Sequence, residues 1–228
     1  RLSKRHGAMN ILEYKDQGFL PEAMLNYLVR LGWSFGDQEV FNTQEMIDAF
    51  DVKNINKSSA KFDLEKLEWL NQQHLSNSDN LELTEFLKLN TSLEELPSAK
   101  TIDSFIDAYK PRVNNLNELV GYFNTLYAEN FTVEDSAAEK FLKQEILVPF
   151  QDLLEMLEQG EWNAESINQS VKSTCEKHRI GFGKIGQPLR VAITGGTESP
   201  SIDLTMTLLD REIVISRIKK AIEYISNQ

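Results

Sequence analysis

Residues 142–157, LKQEILVPFQDLLEML, decide the fold class. Leu142, Ile146, Phe150, Leu153 and Leu157 recur at spacings of four and three, which a helix gathers into one long apolar stripe. Pro149 inside that stripe predicts a kink. The same period continues on both sides. Val214, Ile218, Ala221, Ile222 and Ile225 predict a final amphipathic helix, and Ile102, Phe105, Ile106 and Tyr109 predict one that stops before Pro111. Asp63 is placed to cap a helix through Leu64, Leu67 and Leu70, with Trp69 beside them. Thr43 is the expected cap of a helix carrying Met46, Ile47 and Phe50, and with Met46 three residues on its capping box lacks an acid. Pro21 suits a first turn, followed by a stripe of Met24, Leu25, Leu28, Val29 and Leu31 that ends at Gly32. Alternating strand patterns are nearly absent, so the expected fold is all-α.

Breaks in the pattern give the organisation. A polar cluster, Ser76-Asn77-Ser78-Asp79-Asn80, and a second change near Phe131-Thr132-Val133-Glu134 divide the chain into three expected modules, 1–78, 79–133 and 134–228. No stretch repeats at a period of 20 to 50 residues, which argues against a solenoid. There is no apolar run of 18 residues and no signal-peptide pattern, so a cytoplasmic chain without a membrane partner is expected. The single cysteine, Cys175, excludes an internal disulfide. Cys175 and His178 share a predicted helix face, but His6 and His74 are the only other histidines, so core packing is the better reading and no metal is expected.

A net charge of −11 argues against a nucleic-acid partner, whereas the charge distribution argues for one. Residues 134–165 carry nine acids against Lys140 and Lys143, while 172–190 carry Lys172, Lys177, Arg179, Lys184 and Arg190 against Glu176 alone. Two smaller basic spots are Lys110-Pro111-Arg112 and Arg1-Leu2-Ser3-Lys4-Arg5. Separated basic spots on an acidic body can touch a polyanion locally while the remainder repels non-specific contacts. Ordinary surface charge is the plainer account of the same pattern.

The N-terminal RLSKRHGA combines Arg forks with a mobile Lys, a set that can close on a polyanion; read alone, it is a basic disordered end. Together with EYKDQGFLPEAMLNYLVRLGWSFGDQEVF, which follows it, this stretch resembles the region after the catalytic domain of bacterial glutamyl-tRNA synthetases. The resemblance covers the whole chain and is strongest in residues 1–71 and 181–200. It implies that the chain starts inside the second signature loop of class I synthetases. The chain would then be the C-terminal part of a larger enzyme: a stem-contact domain followed by two helical anticodon-binding domains. Lys4 then matches the lysine that contacts ATP phosphates while the adenylate forms, with Arg1 (commonly Lys in that family), Ser3 and Arg5 shaping the loop. A mobile cation aimed at the charge developing on the α-phosphate lowers the barrier electrostatically.

Two further elements gain meaning from the resemblance. Gly181-Phe182-Gly183-Lys184-Ile185-Gly186-Gln187-Pro188-Leu189-Arg190 lacks the Ser or Thr and the spacing of a phosphate-binding P-loop. Its bland reading is a flexible connection into a helix started at Pro188. In the family, the arginine matching Arg190 and the residues matching Ser199, Pro200 and Ile202 surround unstacked anticodon bases. Splayed bases are read by edge hydrogen bonds, guanidinium contact and stacking on apolar surfaces, which these residue types supply. Tyr109-Lys110-Pro111-Arg112 would be the second reading element. There the bland reading is a basic helix end facing the helix dipole, and the family reading is an arginine that checks the third anticodon base and separates glutamate from glutamine anticodons.

The implied function is the tRNA-binding part of a glutamate–tRNA ligase, with glutamate tRNA as partner and glutamate, ATP and Mg2+ used by the whole enzyme. This piece alone is expected to be a monomer, to need no cofactor and to be inactive. The alternative is a helical protein-interaction module on which the basic spots are incidental.

Overall fold

The computed structural model describes residues 10–56 and 61–228. Among these, thirteen α-helices follow one another: α1 (Ile11–Asp16), α2 (Pro21–Gly32), α3 (Thr43–Ala49), α4 (Leu64–Asn77), α5 (Asn80–Asn90), α6 (Ala99–Tyr109), α7 (Leu116–Tyr127), α8 (Asp135–Phe141), α9 (Leu147–Gln159), α10 (Ala164–His178), α11 (Phe182–Thr194), α12 (Ile202–Thr207) and α13 (Arg211–Ser226). Two isolated bridges, Trp33–Ile55 and Phe35–Gln38, are the only β pairing among the described residues. Contacts divide the chain into two compact units, residues 1–90 with 109–121, and residues 91–108 with 122–228.

The first unit is built on α2 against α4. Tyr14, Phe19, Met24, Tyr27, Leu67 and Leu70 form its core, with Phe62 edge-on to Tyr27. Buried Asn71 ties the unit's loops together, accepting from the Leu20 amide at 2.8 Å and donating to the Asn114 carbonyl at 2.6 Å. A second small core gathers Trp33, Phe41 and Met46. Asp63 caps α4 by accepting from the Lys66 amide, and Pro21 opens α2. Two expectations need correction. The cap of α3 is Asn42, one residue earlier than Thr43, and with Glu45 it completes the capping box that Thr43 could not form. The buried face of α2 is Ala23, Met24, Asn26 and Tyr27; Leu25 and Leu28 are exposed and line an apolar groove with Ile11 and Leu12.

The second unit packs α9 against α10 and α13, with α11 against α8, α10, α12 and α13. Phe150, Leu153 and Leu157 are buried on α9 as the stripe requires, but the single helix expected from Leu142 is broken: Leu142 and Ile146, though buried, precede α9, in the cap of α8 and a short 3-10 turn (Gln144–Ile146). Pro149, however, makes no mid-helix kink. It lies in the first turn of α9, where its missing N–H has no partner to lose. The opposite holds for Pro188. The helix expected to start there already runs from Phe182, so Pro188 is interior and buried, and its ring forfeits the bond to the carbonyl of Lys184 at an exposed position.

Candidate nucleic-acid interface

Arg190 stands on α11 opposite the turn that leads to α12. Its Nε donates to Ser199 Oγ at 2.8 Å, Nη1 to Gln187 Oε1 at 2.7 Å and Nη2 to the Pro200 carbonyl at 3.5 Å. Gln187 in turn donates from Nε2 to the Thr197 carbonyl at 2.9 Å, so one side-chain pair holds the turn at three points, Thr197, Ser199 and Pro200. Thr205 closes the far side with its hydroxyl on the Ser201 carbonyl at 3.0 Å. Arg190 and Ser199 are half-buried, whereas Pro200 and Ile202 are buried, so these two anchor the turn from beneath rather than offer a face to solvent. The structure thus brings Arg190, Ser199, Pro200 and Ile202 together. Gln187 completes the set and escaped the sequence reading. Its signal was the three-residue spacing to Arg190, which becomes visible once the helix is started at Phe182.

What shapes this turn lies below it. Gly195 has φ +80, and a Cβ there would meet the Thr132 carbonyl at 2.6 Å, so glycine is required on two counts. Its own carbonyl accepts from the Glu134 amide at 2.9 Å. Arg217 of α13 is buried without a carboxylate partner among the described residues. It donates to the carbonyls of Ile193 and Leu126, near the ends of α11 and α7, and its guanidinium lies 3.7 Å from the Phe131 ring centroid. Burial pulls its pKa down to about 10, which leaves it cationic at neutral pH. A cation facing two helix C-termini and an aromatic face is stabilised by both. No local pattern marks it, because α13 reads as an ordinary amphipathic helix.

Arg112 belongs to the other unit. The turn Lys110–Arg112 packs on α4, where Lys110 Nζ donates to the Ser78 carbonyl at 3.0 Å and to Asn80 Oδ1 at 2.8 Å, and Gln72 donates to the Pro111 carbonyl at 3.1 Å. The backbone is clamped, yet the Arg112 side chain is exposed and makes no hydrogen bond or ion pair to a described residue.

The segregated charge of the sequence is partly neutralised by folding. Lys177 reaches Asp152 at 2.7 Å, His178 bonds to the same carboxylate, and Lys184 lies 3.8 Å from Glu145. The Lys177 ammonium and the His178 ring hold the Asp152 carboxyl below its usual range. Lys172 and Arg179 remain exposed and unpaired among the described residues. Cys175 is buried, and among the described residues no group of His, Cys, Asp or Glu could hold a metal ion. Arg1, Ser3, Lys4 and Arg5 lie outside the described residues. Among the described residues no helix is long and apolar enough to cross a membrane.

The chain is similar to known proteins along its whole length. Residues 1–69 match the family of class I tRNA synthetase (E and Q) catalytic domains, and residues 68–222 match the anticodon binding domain family. The whole chain is 42% identical to a glutamate–tRNA ligase 1 of Alkalilimnicola ehrlichii and 39% identical to that of Nitrosococcus oceani, covering 49% of each. It therefore spans about half the length of the curated relatives it matches. A crystal structure of a glutamate tRNA ligase from Elizabethkingia meningosepticum in complex with its amino acid superposes with a TM-score of 0.80 at 30% identity, covering 93% of this chain and 43% of that one. With more than half of its residues matching the second of those families, the chain belongs to the anticodon binding domain family.

Proposed function

We propose that the chain is the RNA-gripping part of a cytoplasmic glutamate–tRNA ligase, which attaches glutamate to its tRNA through an ATP-dependent adenylate. The observation that carries this is the Arg190 brace, a guanidinium fixed by Gln187, Ser199 and Pro200 within the residues that match the anticodon binding domain family. Half-burial keeps the donors of Arg190 in a lowered dielectric, where a base edge is read at greater advantage than in open water. Arg112 serves as a second reader, which favours an enzyme that separates glutamate from glutamine anticodons. Modules 1–78, 79–133 and 134–228 act as the stem-contact part and two successive anticodon-binding parts, and the protein works as a monomer.

In the whole enzyme, Lys4 with Arg1, Ser3 and Arg5 would face the phosphates of ATP and its Mg2+. The described residues contain no nucleotide-binding βαβ unit, so the purified 228-residue chain should show no glutamate-dependent ATP–pyrophosphate exchange. The protein-interaction alternative has no observation in its favour beyond the exposed apolar groove of the first unit.

Competitive binding of tRNAs with glutamate and glutamine anticodons, at two salt concentrations, tests the reading. Arg190→Ala should weaken the cognate tRNA by about 1–3 kcal/mol, the range for a lost bidentate base contact. Lys172→Ala, if it meets only phosphate, should weaken all tRNAs alike and flatten the salt slope. An Arg190→Ala variant that binds every tRNA as the parent does would sink the assignment.

A further inference from the structure

Phe182 is exposed at 45%, and between residues 149 and 203 no other large apolar side chain is comparably exposed. A lone aromatic of this kind is not part of a greasy protein-docking patch. It is also not loose. Its ring lies over Gly186, where an added Cβ would meet the ring at 3.0 Å, so the glycine provides a seat that fixes the plane. Nothing lies within 4 Å of where a Cβ would stand on Gly181 or Gly183, which leaves the ring's surroundings bare.

Position and charge then select the ligand. Phe182, Gly186 and Arg190 occupy one i, i+4, i+8 row of α11, with Phe182 and Arg190 about 12 Å apart along the axis at 1.5 Å per residue. The two side chains would therefore meet different nucleotides of one strand. Arg179, exposed and left-handed at φ 54, precedes the ring, and Lys184 follows it, held only by a 3.8 Å pair with Glu145 whose partners are 73% and 74% exposed. So weak a pair yields readily to a phosphate. An aromatic face flanked by two available cations is the composition of a single-strand stacking platform.

We infer that Phe182 is a stacking platform for an unstacked nucleobase next to the one read by Arg190, with Arg179 and Lys184 on the flanking phosphates. The inference rests on the anticodon-reading role proposed for Arg190 and extends the RNA path two turns towards the start of α11.

The test is binding of a short RNA hairpin carrying the glutamate anticodon to the chain with Phe182→Ala, Phe182→Leu or Phe182→Trp, alongside Arg190→Ala. Loss of stacking should weaken Phe182→Ala and Phe182→Leu by about tenfold. Phe182→Trp should retain affinity, and its indole fluorescence should be quenched on RNA addition relative to the parent chain. Leu is close to Phe in apolar area, so the contrast between Leu and Trp survives even if Ala perturbs folding. Arg179→Ala and Lys184→Ala should each flatten the salt slope. If Phe182→Leu binds within about twofold of the parent while Arg190→Ala is weakened, the platform falls and the Arg190 reading stands. If Arg190→Ala binds unchanged and the Phe182 series still separates aromatic from aliphatic, the Arg190 reading falls and the platform stands. An unquenched indole in Phe182→Trp also overturns the platform.

Discussion

The two candidate reading elements present the same chemical group in opposite states. Around Arg190 the turn, the side chain and the floor are all fixed, and the guanidinium already holds three acceptors. Around Arg112 only the backbone is fixed, by Gln72 and Lys110, while the side chain extends into solvent. A long side chain costs on the order of 1–2 kcal/mol in rotamer freedom when immobilised. Arg190 meets most of that cost in folding, whereas Arg112 would meet it on binding the proposed RNA. The pre-organised group therefore suits affinity for one target, and the mobile one suits a check whose failure is tolerable.

The comparison is broken most severely by loosening the fixed element from below. Arg217→Met strands two buried carbonyls, each costing on the order of 1–3 kcal/mol, and should destabilise the second unit by about 3 kcal/mol. Urea denaturation followed through Trp162 would measure it, since the indole of that residue bonds to the Leu209 carbonyl within the same unit. Gly195→Ala forces a side chain into a left-handed site against the Thr132 carbonyl and should cost about 1–3 kcal/mol. It should also erase part of the preference for the cognate anticodon, measured by the same tRNA competition, even where the chain stays folded. Arg112→Gln should leave cognate binding within about 1 kcal/mol and act mainly on the ratio between glutamate and glutamine tRNAs. If both tRNAs shift by one factor, Arg112 is a phosphate contact and the contrast between fixed and mobile readers dissolves.

The smallest effect concerns pH in the first unit. His74 lies within bonding distance of Asn26 Oδ1 at 3.1 Å, and its carbonyl accepts from Ser78, whose own carbonyl holds Lys110. Burial lowers the His74 pKa, partly opposed by Glu22. A neutral form favoured by folding contributes stability that is complete above the unfolded value, about 6.5, and is lost as pH falls from there through the folded value. The midpoint of thermal unfolding should thus drop on acidification below about pH 6.5, and His74→Gln should flatten that part of the profile.

Much of the fold was readable because local signals and tertiary packing agree. Asp63 caps the helix it was expected to cap, the stripe of α6 is buried as spaced, and that of α13 is buried except at half-buried Ile222. Where they disagree, the sequence misleads. Asn42 and Thr43 are both good caps, and the choice fell to the residue whose third successor is Glu45. Pro149 and Pro188 exchange their expected roles, because proline tolerates a first turn and an interior alike when the stranded carbonyl can reach water. Leu25 and Leu28 fit a helical stripe but sit on its exposed side, since Asn26 and Tyr27, both buried, are committed to hydrogen bonds with Phe41 and Asp63. At the candidate site, Arg190 and Ser199 were legible through motif, whereas Gln187 and Arg217 depend on which helix ends meet, a property no local window contains.

Arg217 has a consequence for the order of events during synthesis. Its partners Leu126 and Ile193 emerge from the ribosome well before α13, which carries the guanidinium that joins them. Until that helix has been made and docked, the end of α11 lacks its cation and the turn after Gly195 lacks its floor. A nascent chain would therefore hold the candidate reading residues without that geometry, and the recognition proposed for them would switch on only when α13 docks.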